Sequence, residues 1–348
     1  MDGFKRGINL GGWLSQYAEY DHDHFRGFIT EADIERIASW GLDHVRLPVD
    51  YPVIEEPDRP GVVRESGYRY IDNCLAWCTK YGLSVVLDIH EAPGFTFRND
   101  LEEELKGRNQ LFDSEAVQNR FVALWQQIVT RYRETPVPVI FELLNEVTLP
   151  SNDKWNALVS RTVPAIREIA PHATIMIGGT FNNGIAGLAN LIEFPGDPHI
   201  VYTFHSYDPL LFTHQNAYWA AAPRTWGETP TYPGELPRLR ELVAVHPEFS
   251  RDVEGLVDRQ IDRGYLEEVF QPAVEFARRT GRFLYCGEFG VADWVDAESR
   301  RNWLSDFMSL IREHGFGSAL WTYKQMDFGV VGADGNVRDP GYLELLRS

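Results

Sequence analysis

The stretch Val139-Ile140-Phe141-Glu142-Leu143-Leu144-Asn145-Glu146 reads as an apolar strand that ends abruptly in an amide and a carboxylate. Because burial of a free carboxylate among apolar groups is costly, we expect Glu146 to lie where the strand emerges, at the mouth of a cleft. A second stretch, Phe283-Leu284-Tyr285-Cys286-Gly287-Glu288, ends in the same way. Each segment alone is typical of a strand with a solvated or salt-bridged end. Together they predict that strands of one sheet present two carboxylates to one cleft.

Two carboxylates at one cleft suit a particular chemistry. Cleavage of a glycosidic bond uses one carboxylic acid to protonate the leaving oxygen and one carboxylate to attack the sugar or activate water. Aromatic residues make up 13% of the chain, with ten Trp, and most of these rings are expected in the core. A surplus of Trp also suits sugar binding, because a pyranose face stacks on an indole.

The composition is that of a folded domain without a nucleic-acid or membrane partner. The 348 residues are 44% hydrophobic, enough for a sizeable core, and α/β barrels often reach this length as one domain. The net charge is −18, from 33 basic and 51 acidic residues. Nucleic acids and anionic membranes need a basic footprint, so we expect neither as a partner.

Cysteine and histidine usage predicts neither disulfides nor a cofactor. Cys74, Cys78 and Cys286 form no disulfide framework and no metal-binding pattern, which favours small buried hydrophobic residues. The segment Asp21-His22-Asp23-His24 offers metal-type ligands, but such alternation on a polar loop is more typical of a solvated face. We therefore expect no metal and no cofactor.

The first residues carry no targeting signal. Met1-Asp2-Gly3-Phe4-Lys5-Arg6 has no apolar signal core, and no stretch of the chain resembles a membrane span. These features predict a cytoplasmic protein, with secretion by another route left open.

Strand-like and helical runs alternate throughout the chain. The apolar runs that we read as strands are Phe4–Leu10, His44–Leu47, Ser84–Ile89, Val139–Leu144, Thr174–Ile177, Ile200–Phe204, Phe283–Cys286 and Ser318–Trp321. Amphipathic runs between them include one that opens with the capping signature Thr30–Asp33, and Tyr70–Tyr81, Ala116–Tyr132 and Trp155–Ile169. Eight strands, each followed by a helix, predict a (β/α)₈ TIM barrel that forms one domain over residues 1–348.

One interval breaks this rhythm. Roughly sixty residues separate His205 from a helix that begins near Tyr265, where a short loop is expected. We interpret residues 208–264 as a small subdomain inserted after the sixth strand at the catalytic face, with helical pieces near Leu236–Val245 and Asp252–Ile261. A decorative insertion is the alternative, but long loops in compact domains are usually functional.

Polar and aromatic residues collect at the predicted strand ends, where barrels hold their chemistry. They are Arg46, His90, Asn145, Glu146, His205, Tyr207, Glu288 and Trp321. Each alone has an ordinary explanation: Arg46 could neutralise Glu142, and His90 could be a satisfied core histidine. Because six of the eight strands deliver at least one such residue, packing alone is a poor account of the set.

These residues resemble the signatures of glycoside hydrolase family 5, and most closely the type of clostridial endoglucanase C. The similarity includes Asn145-Glu146, His205-Ser206-Tyr207, Gly287-Glu288-Phe289-Gly290 and the lone Arg46. It runs from Gly7-Ile8-Asn9-Leu10-Gly11-Gly12-Trp13, through Asp43-His44-Val45-Arg46-Leu47-Pro48, to Tyr323-Lys324-Gln325-Met326-Asp327-Phe328. It therefore covers nearly the whole chain, including the insertion, and only the C-terminal tail is weak.

The resemblance implies a role for each residue at the strand ends. Glu146 would be the general acid/base and Glu288 the nucleophile, with Arg46 and Tyr207 hydrogen-bonded to Glu288. His205 would orient Glu146.

The resemblance also implies contacts with the sugar. Asn145 would hold the sugar 2-hydroxyl, His90 would contact the sugar in the cleavage subsite, and Trp321 would form its hydrophobic floor. Within the insertion, we expect Trp219 and Trp226 to bind substrate, since both could stack against glucose units together with Tyr232.

Two departures from the family pattern stand beside this similarity. The residue after the acid is often Pro, whereas this chain has Val147, which should leave the carboxylate placed as before. Close relatives tend to carry a second His after the histidine of the third strand, whereas this chain has Glu91. An extra carboxylate near the cleft could alter a subsite contact or raise the pKa of a neighbour.

By this resemblance the chain is a retaining endo-β-1,4-glucanase of the cellulase type, acting on β-1,4-glucan and mixed-linkage β-glucan. A β-mannanase or an exo-acting β-glucosidase on imported oligosaccharides is the alternative among enzymes. A sugar-binding protein that kept the barrel and lost catalysis is the rival from another class, although both glutamates are present with their partners. We expect the protein to act as a monomer on β-glucan or cello-oligosaccharides.

Overall fold

The structure is a computed structural model that describes residues 1–100 and 109–347. Eight parallel strands close into a barrel in the order β1-β10-β9-β6-β5-β4-β3-β2, because β1 pairs with both β10 and β2. The barrel strands are β1 Gly7–Asn9, β2 His44–Asp50, β3 Ser84–Glu91, β4 Val139–Glu142, β5 Thr174–Ile177, β6 Ile200–His205, β9 Leu284–Glu288 and β10 Gly317–Leu320. Two short antiparallel strands lie outside the barrel, β7 Gly234–Glu235 and β8 Gln260–Ile261. The predicted (β/α)₈ barrel is confirmed.

Helices connect the strands around the outside of the barrel. They are α1 His22–Gly27, α2 Glu31–Ser39, α3 Glu65–Tyr81, α4 Glu115–Tyr132, α5 Asp153–Arg167, α6 Leu210–Thr213, α7 Ala221–Trp226, α8 Leu239–Val245, α9 Arg263–Thr280, α10 Ala297–Glu313 and α11 Pro340–Arg347. The capping signature before α2 is confirmed, since the Thr30 N–H and hydroxyl both donate to Asp33, at 2.9 and 2.8 Å. Gly82 ends α3 at φ 72°, a left-handed conformation that glycine adopts without strain.

Two layers of apolar side chains hold the barrel. Most of the core lies between the strands and the surrounding helices. A separate inner cluster fills the barrel, and it consists of Phe4, Val86, Ile140, Met176, Val201, Tyr285 and Ala319. The strands therefore read as nearly continuous apolar runs, because both of their faces are buried.

The stretch between β6 and α9 carries α6, α7, β7, α8 and β8 and packs against α10. Trp303 Nε1 donates to the carbonyl of Asp208 at 2.9 Å, and the Tyr232 hydroxyl donates to Asp306 Oδ2 at 2.9 Å. These two bonds fasten the insertion to a helix of the barrel.

One predicted element of the insertion is wrong. The expected helical piece at Asp252–Ile261 is a series of turns followed by β8, which pairs with β7. Gly255 and Asp258 adopt positive φ values of 77° and 57°, which no right-handed helix accommodates. The helix-like spacing has another cause, since Val253 and Leu256 are buried in the core of the insertion.

Within the described residues, no helix combines the length and the apolar character that crossing a membrane requires.

Candidate active site

Arg46 lies at the centre of the polar residues that collect at the strand ends, and its side chain is fully buried. Its Nε and Nη2 donate to the two carboxylate oxygens of Glu142, at 2.7 and 3.0 Å. Its Nη1 donates to Asn9 Oδ1 at 3.0 Å and to Glu288 Oε1 at 2.7 Å. Nη2 also donates to Asn145 Oδ1 at 2.8 Å. These bonds use all five N–H groups of the guanidinium, so its orientation is fixed by residues of three other strand ends.

Glu288 ends β9 and is held from two sides. Oε1 accepts the hydrogen bond from Arg46, and Oε2 accepts one from the Tyr207 hydroxyl at 3.0 Å. Its side chain is 7% exposed, which leaves a small surface open to the cleft. A cation and a donor therefore hold the carboxylate in one position.

Glu146 has different surroundings. Burial raises the pKa of its carboxyl to about 7, and a hydrogen bond from Asn182 and the charge of Arg46 only partly oppose this shift. The side chain still keeps 15% of its surface exposed, so it can reach a molecule in the cleft. A carboxyl with this pKa retains a proton near neutral pH, as a general acid must.

His205 lies between the two glutamates. Its Nδ1 is 3.0 Å from Glu146 Oε1 and 3.8 Å from Glu288 Oε2. Burial lowers the pKa of this imidazole to about 4, so the ring is neutral at neutral pH. One oxygen of Glu146 and one of Glu288 lie within 4.8 Å of each other.

His90 and Trp321 form the side of the cleft next to β3 and β10. Their rings stack with centroids 5.8 Å apart and planes inclined by 5°. Asp88 Oδ2 lies 2.7 Å from His90 Nδ1, and Asn145 Nδ2 lies 3.4 Å from His90 Nε2. The amide, the imidazole and the indole therefore border one space beside the two glutamates.

On the other side of Glu146 the cleft opens toward the insertion, in a cavity of about 730 Å³. Tyr207 and His205 line it from the barrel, and Tyr218 and Trp219 line it from the insertion. The rings of Tyr218 and Trp219 meet edge to face at 4.6 Å, and Tyr218 is 67% exposed. An aromatic surface thus continues the cleft beyond Glu146.

A model of the family described as cellulase, glycosyl hydrolase family 5, matches residues 5–327. The chain belongs to glycosyl hydrolase family 5. It is therefore a glycoside hydrolase by family, in agreement with the resemblance seen in its motifs.

Two curated relatives match most of the chain. Endoglucanase C of Acetivibrio thermocellus is 44% identical over 346 residues, which cover 99% of this chain and 98% of the relative. Cellodextrinase A of Ruminococcus flavefaciens is 38% identical over 315 residues, which cover 90% of this chain and 83% of the relative. Among solved structures, endoglucanase Cel5A from the hyperthermophilic Thermotoga maritima superposes with a TM-score of 0.78 at 27% identity, over 98% of this chain and 96% of that one.

The strand-end residues predicted from the sequence come together around one cleft, whereas one of the two insertion residues predicted to bind substrate does not line it. Trp226 does not line the cleft, because its ring is 7% exposed inside the insertion and its Nε1 donates to the carbonyl of Pro237 at 2.9 Å. Tyr232 is likewise buried, at 1% exposure. Of the three aromatic residues expected to stack on glucose, only Trp219 faces the cleft.

The two departures from the family 5 pattern have different consequences. Val147 is buried, and its carbonyl accepts the N–H of Asn182 at 3.1 Å, so the segment after the acid is firmly placed. Glu91 Oε1 accepts from Thr96 Oγ1 at 2.5 Å and from Arg98 Nε at 3.0 Å. The extra carboxylate thus binds the loop that follows β3.

Three residues of the site were missed by reasoning from the sequence. Asp88 had a usable signal, since it is a lone acid inside the apolar run Ser84–Ile89. Asn9 lies within a matching family 5 segment, but nothing in that segment indicates a contact with Arg46. Asn182 lies on a loop, and no local pattern relates it to Glu146.

Two groups of residues offer metal-type ligands. Among the described residues, Glu146, His205 and Glu288 have ligand atoms within 4.8 Å of one another, and His205 Nδ1 is engaged with Glu146 Oε1 at 3.0 Å. The Asp21–His24 segment has its groups engaged separately. His22 Nδ1 lies 2.8 Å from the Tyr70 hydroxyl, and His24 Nε2 lies 2.8 Å from the carbonyl of Gly12.

Proposed function

We propose that this chain is a retaining endo-β-1,4-glucanase that hydrolyses β-1,4-glucan, including soluble cellulose chains and mixed-linkage β-glucan. Membership of family 5 and the 44% identity to an endoglucanase support the reaction class and the sugar. The observation that carries the mechanism is the closeness of Glu146 and Glu288, whose nearest oxygens lie within 4.8 Å. Retaining enzymes hold their two carboxyl groups about 5–5.5 Å apart, whereas inverting enzymes need room for a water molecule.

In the first step the Glu288 carboxylate attacks the anomeric carbon and forms a glycosyl ester. The bond between that carbon and the leaving sugar oxygen breaks, and the oxygen takes the proton from Glu146. Burial keeps this proton on Glu146 near neutral pH, while Arg46 and Tyr207 hold Glu288 in position for attack.

In the second step a water molecule replaces the leaving sugar. Glu146, now a carboxylate, removes a proton from the water as its oxygen attacks the anomeric carbon. The ester bond to Glu288 breaks, and the enzyme returns to its initial protonation state. His205 stays neutral throughout and orients Glu146 through Nδ1.

The remaining residues bind the sugar at the cleavage point. Asn145 holds the 2-hydroxyl, a contact that strengthens as the ring approaches an oxocarbenium ion. His90 contacts the same sugar, and Trp321 packs beneath it. Arg46 fixes the Asn145 amide through the 2.8 Å bond to Oδ1.

The insertion at residues 208–264 binds the part of the glucan that leaves after cleavage. Its Trp219 lines the part of the cleft beyond Glu146, where the sugar that receives the proton departs. The exposed ring of Tyr218 extends this surface for a longer glucan.

One experiment tests the assignment of the two glutamates. Glu146→Ala should still form the glycosyl ester from an activated aryl glycoside, but it should then stall because nothing activates water. Azide needs no base, so adding it should restore turnover and yield a β-glycosyl azide. NMR of the product measures the configuration, and an α-azide or an α-configured initial sugar from the unaltered enzyme would overturn both roles.

A panel of substrates distinguishes the proposed activity from its alternatives. We expect release of reducing sugar from carboxymethyl-cellulose and lichenan, with a broad range of oligosaccharide lengths at early times. Preference for mannan would favour the mannanase alternative, and a crystal structure of Cel5A from Thermotoga maritima in complex with mannotriose makes this control necessary. Release of glucose alone from chain ends would instead indicate an exo-acting β-glucosidase.

A further inference from the structure

The strand that carries His90 also carries a buried acid, Asp88. Its side chain is fully buried on β3, where its immediate neighbours in sequence are apolar. Oδ2 lies 2.7 Å from His90 Nδ1 and 3.1 Å from Arg46 Nη2. Burial of a carboxylate at this depth is costly unless it is paired and hydrogen-bonded, so these two contacts are the physical reason for its presence.

Arg46 determines how the Asn145 amide is oriented. A guanidinium can only donate, so the Asn145 atom 2.8 Å from Arg46 Nη2 is the carbonyl oxygen, and the NH₂ group faces the other way. This NH₂ group lies 3.4 Å from His90 Nε2. Because an amide NH₂ cannot accept, His90 Nε2 is the acceptor of the pair.

An acceptor at Nε2 means that the neutral His90 ring carries its proton on Nδ1. The contact between Asp88 and Nδ1 indicates the same tautomer. Burial raises the pKa of Asp88 to about 7, and the positive charge of Arg46 Nη2, 3.1 Å from Oδ2, opposes this rise and disfavours a proton on that oxygen. His90 Nδ1 therefore carries the proton and donates it to Oδ2. Burial lowers the pKa of His90 to about 3, so the ring is neutral and Nε2 is left unprotonated.

We propose that Asp88 is a positioning residue, which fixes His90 as the Nδ1–H tautomer so that His90 and Asn145 together hold one sugar hydroxyl in a set direction. His90 Nε2 presents an acceptor and Asn145 Nδ2 presents a donor, 3.4 Å apart at the edge of the cleft. A hydroxyl that replaces this 3.4 Å contact matches the pair, because it accepts from the amide and donates to the single lone pair of His90 Nε2. This proposal rests on the proposed function, in which Asn145 holds the sugar 2-hydroxyl. That 2-hydroxyl is therefore the group that His90 and Asn145 hold together.

The tautomer can be measured in the unaltered enzyme. Nitrogen-15 NMR of protein labelled at histidine, with the His90 signals identified from a His90→Gln sample, should show a neutral ring protonated at Nδ1 near neutral pH. A ring protonated at Nε2, or at both nitrogens, would overturn the proposal. This measurement needs no variant of Asp88 to fold.

A kinetic comparison tests the link to the hydroxyl. The substrates are an aryl β-cellobioside and its analogue without the 2-hydroxyl on the sugar beside the aryl group. For Asp88→Asn, an amide can turn its NH₂ toward Nδ1, so the tautomer is no longer fixed. The loss of kcat/KM should be about tenfold larger on the parent substrate than on the deoxy analogue, the scale of one hydrogen bond.

Glu142→Gln is the matched control, since it also removes a negative charge beside Arg46 but does not contact His90. Its losses should be equal on the two substrates. If Asp88→Asn also lost the same factor in kcat/KM on both substrates, Asp88 would act only as a negative charge beside Arg46, and the proposal would be overturned.

Failure of this inference differs from failure of the proposed function. If the unaltered enzyme does not cleave the aryl cellobioside, the glucanase assignment fails, and the NMR result still decides the tautomer. If it cleaves the substrate and His90 carries its proton on Nε2, the role of Asp88 alone is refuted.

Discussion

Two glutamates of identical chemistry have different neighbours. Glu288 accepts hydrogen bonds from Arg46 and Tyr207, one on each oxygen. Glu146 has a neutral imidazole at 3.0 Å, and its burial outweighs the groups that favour its charge. In the proposed function this difference separates the proton donor, Glu146, from the nucleophile, Glu288, as in other pairs of catalytic carboxylates.

The raised pKa of Glu146 predicts where activity declines on the alkaline side. The general acid works only when protonated, so kcat/KM should fall as the pH rises through about 7, the pKa to which burial raises this carboxyl. Glu146→Gln has no proton to lose, and it should abolish the alkaline limb for aryl glycosides with good leaving groups. The measurement is a pH profile of kcat/KM for both proteins.

A persistent alkaline limb in Glu146→Gln would mean that another group controls it. Asp88 is the first candidate, because burial is the main cause that raises its pKa to about 7, and this burial persists in the variant. The same profile on Asp88→Asn would then distinguish the two carboxyl groups.

The sequence predicted the polar residues at the strand ends better than the buried residues that contact them from within the barrel. Glu146, Glu288 and their polar neighbours end apolar runs, and a barrel brings such ends together. Asn9 and Asp88 act through contacts with Arg46 that depend on the register of several strands. The sequence alone does not give the register between strands, so only the structure identifies Asn9 and Asp88 as partners of Arg46.

At the scale of elements, the insertion shows which kind of information a sequence lacks. Trp219 and Trp226 are seven positions apart in an aromatic segment, and nothing local tells which ring faces the cleft. The short α7 turns Trp226 into the core of the insertion, while Trp219 precedes this helix and lines the cleft. The barrel strands could be predicted from the sequence, because their apolar runs are long and regular.

This difference predicts distinct outcomes for the two tryptophans. Trp219→Ala should raise KM on polymeric glucan several-fold and leave a short aryl glycoside nearly unaffected, since one stacking contact is worth about 1 kcal/mol. Steady-state kinetics on carboxymethyl-cellulose and an aryl glycoside measure both effects.

Trp226→Ala serves as the contrast. Removal of a buried indole should destabilise the fold by about 3–5 kcal/mol, visible as a lower Tm, with no selective loss on the polymer. Equal effects of Trp219→Ala on both substrates would assign the insertion to scaffolding instead.

At the scale of the whole molecule, the barrel separates the groups that hold it together from the groups that react. The inner cluster that includes Ile140, Met176 and Val201 fills the barrel and contributes no polar group to the cleft. Glu142 follows Ile140 on the same strand face and already belongs to the charged network around Arg46. The change from an apolar interior to a polar site therefore takes place within two residues along β4.

This separation predicts that a substitution in the inner cluster changes the stability of the fold without changing the pH dependence of activity. Ile140→Ala should lower the free energy of unfolding by about 2–5 kcal/mol, because it leaves a cavity in a fully packed interior. Ile140→Val should cost about 1 kcal/mol. Urea unfolding measures the loss, while the alkaline limb of the pH profile should stay in place. A displaced limb would show that the interior also sets the geometry of the carboxyl groups.

Arg46 acquires its partners at widely separated moments as the chain is synthesised. Asn9 precedes it by 37 residues, Glu142 follows by 96, and Glu288 follows by 242. Contacts so distant in sequence form late, because the intervening chain must first be ordered. The guanidinium therefore completes its charge balance only when β9 joins the sheet, in the event that also brings Glu288 close to Glu146. Recovery of activity during refolding should therefore follow the joining of β9 to the sheet.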